Sequence, residues 1–411
     1  MKVLHVIPSV SETQGGPSFA LRTMVEGLAA LGVQVDVATT DDDGPGRRLE
    51  VPLGRPVIRD GAGYFYFSKQ TEFYKSSWPF ARWVRRHVSD YDLLHIHALF
   101  SFTSVSAARA ARYQRVPYII RPLGVLSNWS RRHRRPWLKS ISLQTVEQPI
   151  LRHASAIHYT SRQEQLEAEA ISAWSRGEVI PLGIDVAGFE NLPDPGEFFA
   201  RHPSAAGRPV VLFLSRLDPK KGLDLLLPAF AQLISVHTRA VLAIAGDGDA
   251  AFVDTCRREA VRLGIDDRVI WCGFIAGREK LAALAAATVF VLPSYSENFG
   301  IALVEALAAG RACVLSDKVG IAAEIDEAGA GLIVACQSSA LAAALERLLG
   351  DHVLRARLAA NARVLAAGRF STAVASQRLK DLYAEVRRAH PPAQYRELTS
   401  ATGNHPANPD A

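Results

Sequence analysis

The hydrophobic positions of this chain fall in short continuous runs separated by longer stretches of helical period, and the alternation begins at once. Residues 3–7 read as a buried strand, residues 17–31 as a helix behind the Gly15-Gly16 loop, and residues 33–38 as a second strand. Proline at the start of that helix and Gly32 past its end are the expected punctuation. The pattern returns as a strand at 93–97, a helix at 103–113 and a strand at 117–120. A βαβ opening followed by more of the same predicts an α/β domain with a largely parallel sheet.

Around 179–185, VIPLGID, a strand runs into a Pro/Gly turn, and the following residues to 208 read as a loop-like linker. At Pro209 the alternation restarts, with strands at 210–214, 240–245, 269–271, 288–292 and 313–315 and helices at 223–235 and 251–263. This predicts a second doubly wound domain. The expected division is therefore 1–185, a linker at 186–208, a second domain at 209–366, a closing helix region at 367–390, and a tail at 391–411 whose Pro, Asn, Ala and Ser content predicts disorder.

Composition narrows the class. At 411 residues the chain is too long for one ordinary core, and 48% hydrophobic with 21% charged residues is ordinary globular usage. No run approaches 18 consecutive apolar residues, and the apolar stretch before Pro8 is too short for a signal peptide, so a cytoplasmic location is expected. The four cysteines, Cys256, Cys272, Cys313 and Cys336, form no C-x-x-C pair, which argues against structural zinc and a disulfide framework. A net charge of +6 permits an anionic partner.

The candidate chemistry gathers in the second half. In PSYSENFGIALVEALAAG, Glu297 and Glu305 lie eight apart, and Glu305 sits within a run, 299–309, that reads as a buried helix. A buried carboxylate without donors costs several kcal/mol, so a ligand rich in hydroxyls is one way to satisfy it. Asn298, Phe299 and Gly300 open that helix, whose first N–H groups favour an anionic or sugar-phosphate group. The strand at 210–214 is followed by SRLDPKKG, so Arg216 and Lys221 stand at a carboxyl strand end, where open α/β sheets hold ligands; they suit a diphosphate, or form a solvated turn.

Other features leave two readings each. Gly246 and Gly248 in AIAGDGD allow close backbone approach to a ligand, while Asp247 with Asp249, like Asp41 with Asp43, is a metal pair or a set of turn formers. Gly15 and Gly16 form a phosphate-approaching loop or a bare turn, without the G-x-G-x-x-G of a dinucleotide fold. His95 and His97 alternate along one strand, so one of them is a base or a sugar contact, or both are core histidines satisfied by backbone. Residues 128–139, NWSRRHRRPWLK, are a solvated loop or a patch for anionic lipid headgroups or phosphorylated acceptors; no nucleic-acid motif accompanies them.

In order, Gly15-Gly16, VIPLGID, SRLDPKKG, AGDGD, WCGFI at 271–275 and SENFGIALVEALAAG resemble the family 4 retaining glycosyltransferases of the GT-B fold. The resemblance implies two Rossmann-like domains facing across a cleft, a nucleoside diphosphate sugar donor held mainly by the second, a glycan or lipid-linked acceptor at the first, and a C-terminal helix returning to the first domain. On that resemblance Arg216 and Lys221 grip the donor diphosphate, Glu305 accepts from the ribose, and Glu297 meets the transferred sugar; Asn298, Phe299 and Gly300 add backbone contacts. Gly15, Gly16, Gly246, Asp247, Gly273 and Phe274 complete the expected donor set, and His97 is the candidate on the acceptor side. The family needs no obligatory metal or cofactor. Two positions depart from it: RPLG at 121–124 stands where many members carry a histidine, and Leu182 stands where the linker commonly has Asn. A nucleotide-sugar epimerase on the same fold and a non-catalytic sugar-nucleotide binder are the competing readings.

Overall fold

A computed structural model describes residues 1–127, 129–130, 136–172 and 174–390. The expected disordered tail and the centre of the basic 128–139 segment lie outside the described residues.

The chain forms two compact units. The first comprises residues 1–159, 165–180 and the chain from Ser376 onward; the second comprises 160–164 and 181–375.

The first unit is built on eight strands: β1 (Lys2–Val6), β2 (Gln34–Thr40), β3 (Pro56–Arg59), β4 (Ala62–Phe67), β5 (Leu93–His97), β6 (Tyr118–Arg121), β7 (Ala156–Tyr159) and β8 (Gly177–Val179). Their order is β3-β4-β2-β1-β5-β6-β7-β8, parallel throughout except for the antiparallel β3–β4 edge. From β1 the chain winds outward through β2 and then returns to place β5 on the other side. The switch point of the sheet therefore lies between β1 and β5.

The second unit carries six parallel strands: β9 (Val210–Leu214), β10 (Val241–Ala245), β11 (Val269–Gly273), β12 (Val289–Leu292), β13 (Ala312–Ser316) and β14 (Gly331–Val334). The order is β11-β10-β9-β12-β13-β14, with the switch between β9 and β12. The sequences VVLFL, VLAIA, VFVL and ACVLS explain the architecture: helices cover both faces of a parallel sheet, so its central strands are apolar at successive positions rather than at alternate ones, with Ser316 at the end of β13 the exception among these four.

Two expectations change. Residues 186–208 are not a plain loop: a helix at Gly196–Arg201 buries Phe198, and Glu197 and Arg201 pair with Arg278 and Glu279 of the helix Gly277–Ala286. That segment is part of the second unit. The helix around Glu305 is also shorter, Ile301–Ala308, because Gly300 at φ 84° ends the preceding turn in the left-handed region. The closing helix, Thr372–Ala389, buries Ala375, Leu379, Leu382, Tyr383 and Val386 along one stripe. Among the described residues no helix is long and apolar enough to cross a membrane.

Candidate functional site

In the second unit the loops after β9, β10 and β12 are pressed against one another by glycines. Gly246 sits at φ 143°, where a Cβ would lie 1.8 Å from the Ser215 carbonyl oxygen. Gly222, at φ 74°, would place a Cβ 2.1 Å from the oxygen of Pro293. Neither contact tolerates a side chain. Backbone bonds from Leu217 to Asp247 (2.8 Å), Gly246 to Gly273 (2.7 Å) and Tyr295 to Lys220 (2.8 Å) complete the seam.

The seam brings the charged groups together. Asp218 caps the 3-10 turn Pro219–Lys221, which turns Lys221 inward to the carboxylate of Glu297. Burial pushes the Glu297 carboxyl up, but Lys221, with Lys220 and Arg216 behind it, more than offsets that and holds it below the usual carboxylate range. Lys220 is lowered by burial and by Lys221. Arg216 is exposed and makes no hydrogen bond or ion pair among the described residues. Three cations thus surround one ionised glutamate at the carboxyl edge of the β9/β12 switch, leaving an excess of positive charge where doubly wound sheets bind ligands. Lys220 was not singled out from the sequence, although it adjoins Lys221 in the same turn.

Glu305 requires a correction. Its carboxylate is not waiting for a ligand to satisfy it, because Lys280 Nζ donates to Oε1 at 2.6 Å. The partner comes from the neighbouring helix Gly277–Ala286 and was invisible in the apolar run around Glu305. Glu305 is nevertheless on the helix that begins at Gly300, so it stands in the second unit with Glu297.

The remaining residues divide clearly. Glu297 is fixed through its backbone, its N–H donating to Lys318 and its carbonyl accepting from Gly320. Asn298 donates from Nδ2 to Thr160 Oγ1 at 2.8 Å, and Phe299 is buried edge-on to Phe370 at 5.6 Å, so their side chains are structural and only their backbone remains for a ligand. Asp247 and Asp249 serve turns: Asp247 accepts from the Gly248 amide, and Asp249 caps the helix Ala250–Arg262. Gly273 and Phe274 are exposed at the end of β11.

Gly15, Gly16 and His97 belong to the first unit. Gly15, at φ 65°, ends the turn Glu12–Gln14 and Gly16 begins the helix Gly16–Ala30, at the carboxyl end of β1 and so at that sheet's switch point. Asp41 and Asp43 form no metal pair: Asp41 accepts from the Lys69 amide and from Arg48, while Asp43 pairs with Ser11 and Arg47. His97 is wholly buried. Its Nε2 meets His5 Nδ1 at 3.0 Å and its Nδ1 meets Arg121 at 3.3 Å, so this geometry leaves no nitrogen for a base. His5, Arg121, His158 and Tyr383, all gathered around His95 and His97, were not anticipated; they come from four elements far apart in the chain, and no sequence spacing signals them.

The fold is that of the GT-B glycosyltransferases. Residues 195–365 match the model of the glycosyl transferases group 1 and residues 15–183 that of the glycosyl transferase 4-like domain. The chain belongs to glycosyltransferase family 4, and it is an enzyme of glycosyl transfer. It is 29% identical over 399 residues to a D-inositol 3-phosphate glycosyltransferase of Corynebacterium efficiens, covering 92% of each chain. It is also 29% identical to the phosphatidyl-myo-inositol mannosyltransferase of Mycobacterium leprae, over 94% of this chain and 97% of that one. Among solved structures, Anabaena HepE in complex with UDP superposes with a TM-score of 0.76 at 22% identity, covering 94% of this chain and all (100%) of the other. Sucrose-phosphate synthase from Thermosynechococcus elongatus does so with 0.75 at 23%, covering 95% and 100%.

Proposed function

We propose that this enzyme is a retaining hexosyltransferase that moves a sugar from a nucleoside diphosphate donor to a glycan or lipid-linked acceptor in surface polysaccharide assembly. The observation that carries the reading is the set Arg216, Lys220 and Lys221 gathered around an ionised Glu297 at one strand edge. A leaving nucleoside diphosphate develops negative charge as the anomeric bond breaks, and cations already in place stabilise it with little reorganisation. The names of the relatives, with inositol phosphate and phosphatidylinositol acceptors, support a phosphorylated or lipid-linked acceptor, and the HepE complexes with UDP and UDP-glucose support a nucleotide-sugar donor.

In this reading Arg216, Lys220 and Lys221 hold the diphosphate, Glu297 faces the transferred sugar, and the second carboxyl oxygen of Glu305 accepts from the ribose while the first stays with Lys280. Gly246, Asp247, Gly273, Phe274 and the backbone of Asn298, Phe299 and Gly300 line the donor. Gly15 and Gly16 offer backbone to a phosphate group at the switch point of the first sheet. The carbon–oxygen bond to phosphate breaks and the acceptor oxygen bonds to the same face. Its proton passes to the leaving phosphate oxygen, so positioning replaces a protein nucleophile. Retention and the donor base both belong to this proposal.

Peripheral contact with an anionic membrane at the inner face of the cell is proposed for the segment 128–139. Within and beside it, Trp137 and Ile141 of the helix Pro136–Ser142 stand exposed. Co-sedimentation with liposomes of graded phosphatidylglycerol content, before and after charge reversal in that segment, tests it. The donor reading is tested with radiolabelled UDP-, GDP- and ADP-sugars, scoring transfer, slow hydrolysis and the product anomer. It fails if none is turned over and Glu305→Ala leaves nucleotide binding unchanged.

A further inference from the structure

Four histidines of the first unit, none of them in the donor reading above, are fully buried together with Tyr383 of the closing helix. His158 Nε2 lies 2.7 Å from the Ile180 carbonyl oxygen, and its Nδ1 lies 3.3 Å from His95 Nε2. His95 Nδ1 is 2.6 Å from the Tyr383 hydroxyl, which is 3.3 Å from His5 Nε2. His5 Nδ1 then meets His97 Nε2 at 3.0 Å, and His97 Nδ1 meets Arg121 at 3.3 Å. The contacts form one unbranched series from a backbone carbonyl to a guanidinium.

Proton counting leaves this series one arrangement. The Ile180 carbonyl can only accept, so His158 carries its hydrogen on Nε2 and its Nδ1 is an acceptor. His95 must therefore donate from Nε2, which makes its Nδ1 the acceptor for the Tyr383 hydroxyl. The phenol oxygen accepts from His5 Nε2, and His5 Nδ1 accepts from His97 Nε2. His97 Nδ1 is left as an acceptor, and Arg121, which can only donate, meets it. Every bond is satisfied with four neutral rings, all in the Nε2–H form.

Ligand nitrogens of His5, His95 and His97 also lie within 4.8 Å of one another, a spacing that a metal ion could span. The bond directions argue against one. Each Nδ1 lone pair already accepts a hydrogen, and among the described residues the charged groups bearing on these rings are the cations Arg121 and Arg378, with no carboxylate to balance a further positive ion.

We propose that this series is a metal-free, one-directional hydrogen-bond lock that seats the closing helix on the first unit through Tyr383 and releases it when any ring takes up a second proton. A doubly protonated imidazole has two donors and no acceptor, so a second proton sets two donors face to face at His158, His5 or His97, and at His95 leaves the Tyr383 hydroxyl hydrogen without an acceptor. In a site without solvent nothing replaces the lost acceptor. The groups facing the rings are Arg121 from β6, Arg378 and Tyr383 from the closing helix, and the histidines of β1, β5 and β7; the positive ones oppose protonation while the helix is seated, and release opens all four rings to water at once, so proton uptake and release occur together.

The test is nitrogen-detected spectroscopy of the full chain with labelled histidine, combined with amide exchange and metal analysis. At pH 7.5 the four rings are expected as neutral Nε2–H tautomers with no bound metal. On acidification they are expected to lose that form in one transition with a proton order above one, together with the amide protection of residues 379–386, while β12 of the second unit stays protected. Tyr383→Phe, which keeps the ring and removes the oxygen, is expected to raise the midpoint by about one pH unit, a tenfold easier protonation. Near-stoichiometric metal, any of the four rings as Nδ1–H, rings titrating singly with the helix still protected, or both units unfolding at one pH overturns the proposal.

Discussion

Lys221 Nζ pairs with the Glu297 carboxylate where both side chains are largely withdrawn from water, 8% and 15% exposed. The pair joins the turn after β9 to the loop after β12, so its geometry is set by two strands that are neighbours in the sheet. Removing one partner leaves a nearly buried charge uncompensated. Lys221→Met is expected to lower the melting temperature through a loss of about 3 kcal/mol and to lower kcat by roughly a hundredfold. Calorimetry and turnover at saturating donor check the two separately. A variant with unchanged kcat removes Lys221 from the chemistry.

Arg216 predicts the opposite split. It is exposed and unpaired among the described residues, so Arg216→Ala is expected to change stability by no more than about 0.5 kcal/mol. The same variant is expected to weaken nucleotide diphosphate binding by roughly tenfold or more, because a charge-assisted bond contributes about 1.5–3 kcal/mol. Titration calorimetry with the nucleoside diphosphate alone measures this without an acceptor. Equal affinity in the two proteins would show that the diphosphate lies elsewhere.

The Lys280–Glu305 pair separates a ribose acceptor from a structural glutamate. Glu305→Ala is expected to raise the donor KM by about tenfold, the cost of one or two hydrogen bonds to a charged group. Lys280→Met is expected to move KM by less than about threefold and stability by under about 1 kcal/mol, as for a partly exposed pair. If both variants lose donor binding equally, the pair positions the helix and Glu305 does not reach the ribose.

Two sets of buried groups are expected to give stability opposite pH dependences below neutrality. Burial lowers His5 and His158 to about 3, and His95 and His97 well below the ordinary value, so the folded chain stays unprotonated where the unfolded chain binds protons. Stability is then lost as pH falls below the unfolded histidine value near 6.5, with a slope of up to about 1.4 kcal/mol per pH unit for each ring. Denaturant melts between pH 7 and pH 5 measure that slope.

Burial pushes Glu147 up to about 7, against the bonds it accepts from Tyr74 and the Phe100 amide, so its contribution runs the other way. The folded chain holds a proton that the unfolded chain has released, and stability is lost as pH rises from about 4.5 through 7. Glu147→Gln keeps the acceptor oxygen without the charge. It is expected to raise the melting temperature at pH 8 and to have little effect at pH 5.

The sequence by itself determined the layers of both units and the elements that carry the donor-side charges. Buried parallel strands are short, mainly apolar runs, interrupted in the first unit by His5, His95, His97 and His158, and their helices have helical period, both local properties of the chain; Arg216, Lys221 and Glu297 each follow a strand in a short, readable turn. Tertiary structure alone decided which groups meet. Lys280 answers Glu305 across two helices, and residues 186–208 gain a helix by packing Phe198 against their neighbours. His97 is joined to His5, His95, His158, Arg121 and Tyr383 from strands and a helix up to 378 residues apart. Pairing of buried polar groups depends on which strands lie side by side, and one-dimensional spacing carries no record of that.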